Sequence, residues 1–354
     1  MRNFKLALVF AVLAGFSGPP ASGSGEGATG NFDGRQDEPG SMSEKTGGNG
    51  LVRSIPESDA SAATPGRAAN GATAPNASVE SNRADLAPPK GDPARAAARP
   101  GLRLSFTDWY VPGLRGSADA AFSFVARTGL QGVEVNPEYD GNSPKLLNSP
   151  LLRQQYFDAE KSYGLQISSF CLGELWVDKL ATDASSVDKI RGLIEVCRLM
   201  DVHVILLPIF ADYRGAGVTD TIVERLKLVT PAAEAAGVVL GVENYETAET
   251  NAALLARVNS PAFRIYYDIG NSSERNYDIY GEIRMLGNRI CQFHVKDQQT
   301  SAGLPGRGKI DFARFRAALE DINYHGWLVL ELTAGEPNYK SSAEYLKTVF
   351  AVRP

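Results

Sequence analysis

From residue 101 onward, short runs of apolar, β-branched and aromatic residues alternate with segments whose apolar positions recur at helical spacing. The runs fall at 102–106, 132–135, 165–171, 202–208, 238–243, 263–268, 290–295 and 327–332. Each reads as a short strand buried on both faces. Between them, 117–128 opens on Ser117, 219–236 on Thr219 and 311–322 on Asp311, all plausible helix N-caps. In 186–200, Val187, Ile190, Ile194, Val196 and Cys197 gather near one face. Near-continuous apolar strands separated by amphipathic helices predict a parallel sheet covered on its outside. Eight such units in about 250 residues predict an α/β fold of the (β/α)8 TIM-barrel kind. The alternative, an open doubly wound sheet, normally carries G-x-G-x-x-G after its first strand. Here that strand runs into Ser105-Phe106-Thr107-Asp108-Trp109-Tyr110 instead.

The pattern is absent before residue 101. Arg2 and Lys5 precede an unbroken apolar run from Leu6 to Phe16, followed by Ser17, Gly18, Pro19, Pro20 and the small residues Ala21, Ser22 and Gly23. A basic start, a short apolar run and a small-residue exit predict a secretory signal peptide over 1–23, and hence a secreted or periplasmic protein. Residues 24–100 are Gly, Ala, Ser, Pro, Asn and mixed charge, with Phe32 the only aromatic side chain. Such a segment buries too little apolar surface to offset its ordering entropy, which predicts a disordered linker. The barrel domain then spans 101–354. No later stretch is long and apolar enough to cross a bilayer, so no integral membrane segment is expected after cleavage.

Charge and composition narrow the function. The chain has 36 Lys+Arg against 41 Asp+Glu, a net charge of −5, which argues against nucleic acid as a partner. Three cysteines exclude a disulfide scaffold, and three histidines exclude any site built from many imidazoles.

In a TIM barrel the chemistry sits where strands end. The last four strands end in Glu243, Asp268, His294 and Glu331. Taken singly, Glu243 or Glu331 reads equally well as a helix cap or an arginine partner, and His294 as a satisfied core histidine. Four in succession on one rim read as a metal site. Three carboxylates and an imidazole suit a hard-to-borderline divalent cation, with Mn²⁺ first and Mg²⁺, Co²⁺ or Zn²⁺ as alternatives. Without a cation, converging carboxylates repel one another and resist ionisation.

The segment from Leu102 to Phe350 resembles the sugar phosphate isomerase/epimerase superfamily, the xylose-isomerase-like TIM barrels. The resemblance is carried by Gly132-Val133-Glu134-Val135, Val242-Glu243-Asn244, Tyr267-Asp268-Ile269-Gly270-Asn271, Phe293-His294-Val295-Lys296-Asp297, Gly306-Arg307-Gly308-Lys309-Ile310-Asp311-Phe312 and Leu330-Glu331. That superfamily includes ketose 3-epimerases, hydroxypyruvate isomerases, inosose dehydratases and metal-dependent apurinic endonucleases. The resemblance implies that Glu243, Asp268, His294 and Glu331 are metal ligands, and that Glu243 and Glu331 also exchange protons with a sugar. Removing a proton beside a carbonyl creates an enediolate, which nearby positive charge stabilises. Return of the proton to the other face gives an epimer; its return to the adjacent carbon gives an isomer. Loss of the neighbouring hydroxyl would make the protein a lyase of the inosose-dehydratase kind. A carbohydrate-binding barrel without turnover is the third reading.

Many members carry D-x-x-H after the sixth strand, whereas this chain has Asn271 at the last position. Asn271 can hydrogen-bond a sugar hydroxyl but replaces an imidazole ligand poorly. The shortage of histidines also removes the endonuclease reading. Glu134, Lys296, Trp109 and Glu174 are the other expected substrate contacts, with structural hydrogen bonds and ion pairs as the alternatives for Glu134 and Lys296. Tyr110, Trp176 and Phe210 join Trp109 as rim aromatics that could stack on a sugar. His203 and His325 fall at the far end of the barrel. The expected partner is a small sugar, and homo-oligomerisation is left open.

Overall fold

A computed structural model describes residues 101–176, 179–210, 216–297 and 302–350. The signal peptide and linker expected over 1–100 lie outside these residues. Eight strands form a closed parallel barrel: β1 (Arg103–Thr107), β2 (Gly132–Val135), β3 (Gln166–Cys171), β4 (Val204–Pro208), β5 (Val239–Glu243), β6 (Phe263–Asp268), β7 (Ile290–Val295) and β8 (Trp327–Leu330). They run in sequence order around the barrel, and β1 closes on β8. Around them lie α1 (Ala118–Thr128), α2 (Pro150–Tyr163), α3 (Ser186–Met200), α4 (Ala216–Ala236), α5 (Ala248–Val258), α6 (Ile279–Leu286), α7 (Phe312–Asp321) and α8 (Glu336–Phe350). The predicted TIM barrel is therefore the fold. Among the described residues no helix is long and apolar enough to cross a membrane.

Local chemistry sets the helix ends. Ser117 Oγ accepts the Ala120 N–H, and Asp311 Oδ1 accepts the N–H groups of Ala313 and Arg314, satisfying first-turn donors as expected. Thr219 is not a cap, because α4 already begins at Ala216. Strand β4 starts at Val204 rather than 202. The reason is the exit from α3: Asp201 adopts φ 53° and the Val202 N–H returns to the Cys197 carbonyl, so Val202 closes the helix. The last strand ends at Leu330, two residues early. Beyond it the Leu332 N–H and C=O both pair with the Tyr339 hydroxyl of α8.

Each strand is apolar on both faces for two reasons. Leu104, Phe106, Val133, Ile205, Leu207, Leu240, Val242, Phe293, Leu328 and Leu330 belong to the core shared with the helices. Cys171, Leu206, Tyr266, Trp327 and Val329 form a separate cluster from the alternate positions of the strands. Toward the C-terminal ends of the strands this second set gives way to polar side chains. Ser105, Glu134, Ser169, Gln292 and His294 are all buried there.

Candidate metal centre at the barrel mouth

Glu243 is the last residue of β5, Asp268 the last of β6, His294 the penultimate residue of β7, and Glu331 follows β8 directly. The parallel register sets Asp268 beside His294. One ligand atom from each of the four lies within 4.8 Å of the others, and all four side chains are buried.

The backbone aims Asp268. A short helix, Ile269–Glu274, springs directly from β6, and Asp268 is its N-cap. Its Oδ1 accepts the N–H groups of Gly270 and Asn271 at 2.8 and 3.0 Å. That leaves Oδ2 turned to the centre of the cluster, with no hydrogen-bond donor among the described residues. The Lys296 ammonium lies 2.6 Å from it, which makes an ion pair outside hydrogen-bonding direction. Lys296 also donates to Glu331. Asn271 Nδ2 donates to Glu243 Oε1 at 3.1 Å. His294 turns Nδ1 toward Glu243 Oε1 and Glu331 Oε2, at 3.4 and 3.3 Å. Its other nitrogen, Nε2, lies 2.7 Å from Glu134 Oε1.

Charge among these buried side chains is polarised. Burial pushes the Glu243 carboxyl up, an effect His294 only partly offsets. Burial acts on Glu331 in the same direction, but Lys296 and His294 overcome it and hold that carboxyl below its usual range. Burial opposes the charged forms of His294 and Lys296, yet the surrounding carboxylates hold both well above their ordinary values. The pocket thus attracts positive charge, and the Lys296 ammonium provides it.

The donors fit a divalent cation. A hard ion with bonds of about 2.1 Å holds its ligand atoms roughly 3 to 4 Å apart. The 4.8 Å spread would need to close by about 1 Å to reach that. Oδ2 of Asp268, buried and accepting no hydrogen bond from the described residues, is an oxygen such an ion would take over from the Lys296 ammonium.

The expected substrate contacts separate into two groups. Asn271, Lys296 and Trp109 are at the site; the Trp109 ring centroid lies 6.2 Å from that of His294. Glu134 is wholly buried with its carboxylate on His294, Ser169 and Tyr266, which places it behind the imidazole. Glu174 pairs with Lys189 of α3 at 3.5 Å. Trp176, Phe210 and Tyr245 form a row of tilted ring contacts. Tyr245, absent from the expected residues, feels the charges of Lys296, Glu243, Asp268 and Glu331, and burial raises its hydroxyl to about 12. His203 pairs with Asp201 and His325 with Asn323, both remote from the cluster.

The sequence profile described as xylose isomerase-like TIM barrel matches residues 122–349. A putative L-ribulose-5-phosphate 3-epimerase, SgbU, of Haemophilus influenzae is 37% identical over 84 residues, 21% of this chain and 29% of that protein. D-psicose 3-epimerase of Enterocloster bolteae is 27% identical over 157 residues, 40% of this chain and 52% of that protein. The chain thus spans about half or less of the length of these curated relatives. Among solved structures, 3-keto-D-glucoside 4-epimerase YcjR of E. coli superposes with a TM-score of 0.59 at 15% identity, covering 70% of this chain and 99% of that one.

Proposed function

Because the chain belongs to the xylose isomerase-like TIM barrel family, we propose that it is a divalent-metal-dependent epimerase of a keto-sugar, with Mn²⁺ the first candidate ion. The observation carrying this reading is the convergence of Glu243, Asp268, His294 and Glu331 at one end of the barrel. Asp268 Oδ2, His294 Nδ1 and a carboxylate oxygen of each glutamate would hold the cation. When bound, it supplies the fixed positive charge that offsets negative charge building on the sugar's carbonyl oxygen.

The chain's own groups do the rest. Strands β5 and β8 are separated by β6 and β7, so Glu243 and Glu331 enter the mouth from different sides. One removes the proton beside the carbonyl and the other returns a proton to the opposite face. Asn271, through its bond to Glu243, holds that carboxylate in place. Lys296 and Asn271 are the donors for sugar oxygens, and Trp109 is the apolar wall against the carbon skeleton. That the two curated relatives are named as 3-epimerases of ketose-type sugars supports inversion beside a carbonyl. The leader-like residues 1–23 support export, and with it a sugar without phosphate.

The test is deuterium exchange from heavy water into a panel of ketoses and 3-keto-sugars, followed by NMR with added Mn²⁺. Exchange with inversion, abolished in Glu243→Gln and Glu331→Gln while the barrel stays folded, is the expected result. Loss of a hydroxyl would mark a dehydratase. Sugar binding without exchange would mark a binding barrel. Either outcome overturns the proposal.

A further inference from the structure

We propose that Glu134, Ser169, Tyr266 and Gln292 form a directional hydrogen-bond relay that engages the hydrogen on His294 Nε2 and so leaves Nδ1 as the nitrogen that would meet a cation held among the ligand carboxylates. This rests on the metal-site reading above, and assigns positioning residues behind it.

The relay begins at Gln292, two residues before His294 on β7, so the two side chains share a face of the strand. Its amide nitrogen donates to Ser169 Oγ at 2.8 Å and to Tyr266 Oη at 2.9 Å. An amide NH₂ can only donate. Both hydroxyls are therefore acceptors toward Gln292, and each keeps its own hydrogen for another partner. Both use it on the same atom, Glu134 Oε2, at 2.5 Å from Ser169 and 2.7 Å from Tyr266. With Oε2 engaged twice as acceptor, the carboxylate presents Oε1 to His294 Nε2 at 2.7 Å. A carboxylate that is held as an acceptor calls for a hydrogen on Nε2. The nitrogen that faces Glu243 and Glu331 is then Nδ1. All five side chains are buried, so water cannot substitute for a missing partner without rearrangement.

The backbone is built for this arrangement. The parallel ladders carry two register shifts, and both fall at relay residues. Between β2 and β3 the pairing moves from Val133 with Ile167 to Glu134 with Ser169, skipping Ser168. Between β6 and β7 it moves from Ile265 with Ile290 to Tyr266 with Gln292, skipping Cys291. Each extra residue shifts the strand phase by one. Each shift thereby sets a hydrogen-bonded pair of the relay side by side. The second also brings Asp268 level with His294. Without the insertions Glu134 would face Ser168, and Tyr266 would face Cys291.

The experiment is calorimetric titration of the full chain with Mn²⁺, paired with ¹⁵N-histidine NMR of the Zn²⁺-loaded protein. With three histidines in the chain, His203→Gln and His325→Gln assign the His294 signals. Groups behind a metal-bound imidazole typically contribute about 10–100-fold to affinity. Glu134→Gln is expected to weaken Mn²⁺ binding within that range, and Tyr266→Phe by a smaller factor in the same direction. In the Zn²⁺-loaded parent, His294 is expected to show hydrogen on Nε2 and none on Nδ1. Should Glu134→Gln fail to fold, Tyr266→Phe and the parent spectrum decide the matter. The inference is overturned if the variants bind Mn²⁺ like the parent while Asp268→Asn does not, or if hydrogen is found on Nδ1. If Asp268→Asn also binds like the parent, the metal site itself is refuted, and the relay with it.

Discussion

The carboxylate of Asp297 rests on the backbone of Gly308. It accepts the N–H of Gly308 at 2.8 Å and that of Lys309 at 3.1 Å. A Cβ on residue 308 would fall 1.9 Å from Asp297 Oδ1, so only glycine fits. Gly306 is constrained too, at φ 74° with the Tyr345 ring 2.5 Å from where a Cβ would be. The pairing ties the segment after β7 to the entry of α7. It therefore fixes the path of the chain leaving Lys296.

Gly308→Ala should accordingly lower the thermal midpoint, with a loss of about 2–4 kcal/mol, because a buried carboxylate and its backbone partners must part. Scanning calorimetry of the barrel checks this. Ala at Gly141, where nothing lies within 4 Å but φ is 60°, should show only the smaller backbone strain of about 1 kcal/mol. Equal losses at the two positions would contradict the packing argument.

The same pair shows what was legible beforehand. The H-x-K-D and G-x-G-x-I-D-F segments mark the superfamily, and in the structure Asp297 and Asp311 accept backbone N–H groups while Gly306 and Gly308 leave room for Tyr345 and Asp297. The eight strands could be read because burial on both faces leaves apolar runs. Glu243, Asp268, His294 and Glu331 could be read because each stands at a strand end. The role of Glu134 could not. Alternation along 165–171 and 290–295 carries no sign of the register shifts at Ser168 and Cys291 that turn Glu134 and Tyr266 beneath His294. A clue was present in Gln292, a polar residue in an apolar strand and in phase with His294. Glu174 lies in the turn Gly173–Leu175 that follows β3, where its carboxylate pairs with Lys189.

Asp268→Asn should separate folding from metal binding. The amide oxygen can replace Oδ1 at the Gly270 and Asn271 N–H groups, so the cap survives. The amide nitrogen then stands where Oδ2 faces the site, and it donates where a ligand must accept. Melting curves with and without Mn²⁺ test this. At a concentration about 100-fold above its dissociation constant an ion adds about 2.7 kcal/mol. The parent should gain that stabilisation and Asp268→Asn should lose nearly all of it.

Lys296→Met removes the cation that now sits among Asp268 and Glu331. Like-charged carboxylates then face one another without compensation. The metal-free variant should melt below the parent, and its Mn²⁺-induced rise in midpoint should exceed the parent's. A lower midpoint with an unchanged rise would mean that Lys296 does not compete for the cation's place.

Asp108, which is not one of the candidate ligands, gives the clearest pH signature. It is wholly buried at the end of β1, where Oδ1 accepts the Asn136 N–H at 3.0 Å and Oδ2 has no partner among the described residues. Burial raises its carboxyl from the ordinary 3.8 to about 8, against the lowering pull of that N–H and of Arg115. Between those values the folded chain keeps a proton that the unfolded chain releases. Stability from this group is therefore full below pH 4 and declines as pH rises toward 8. At pH 7 the interval above 3.8 is about 3 units, each about 1.4 kcal/mol, so the loss is on the order of 4 kcal/mol. Asn retains the acceptor for Asn136 and has nothing to ionise. Asp108→Asn should match the parent near pH 4 and exceed it progressively up to pH 8 in urea unfolding. A difference independent of pH would show that Asp108 ionises in the folded protein as freely as in the unfolded chain.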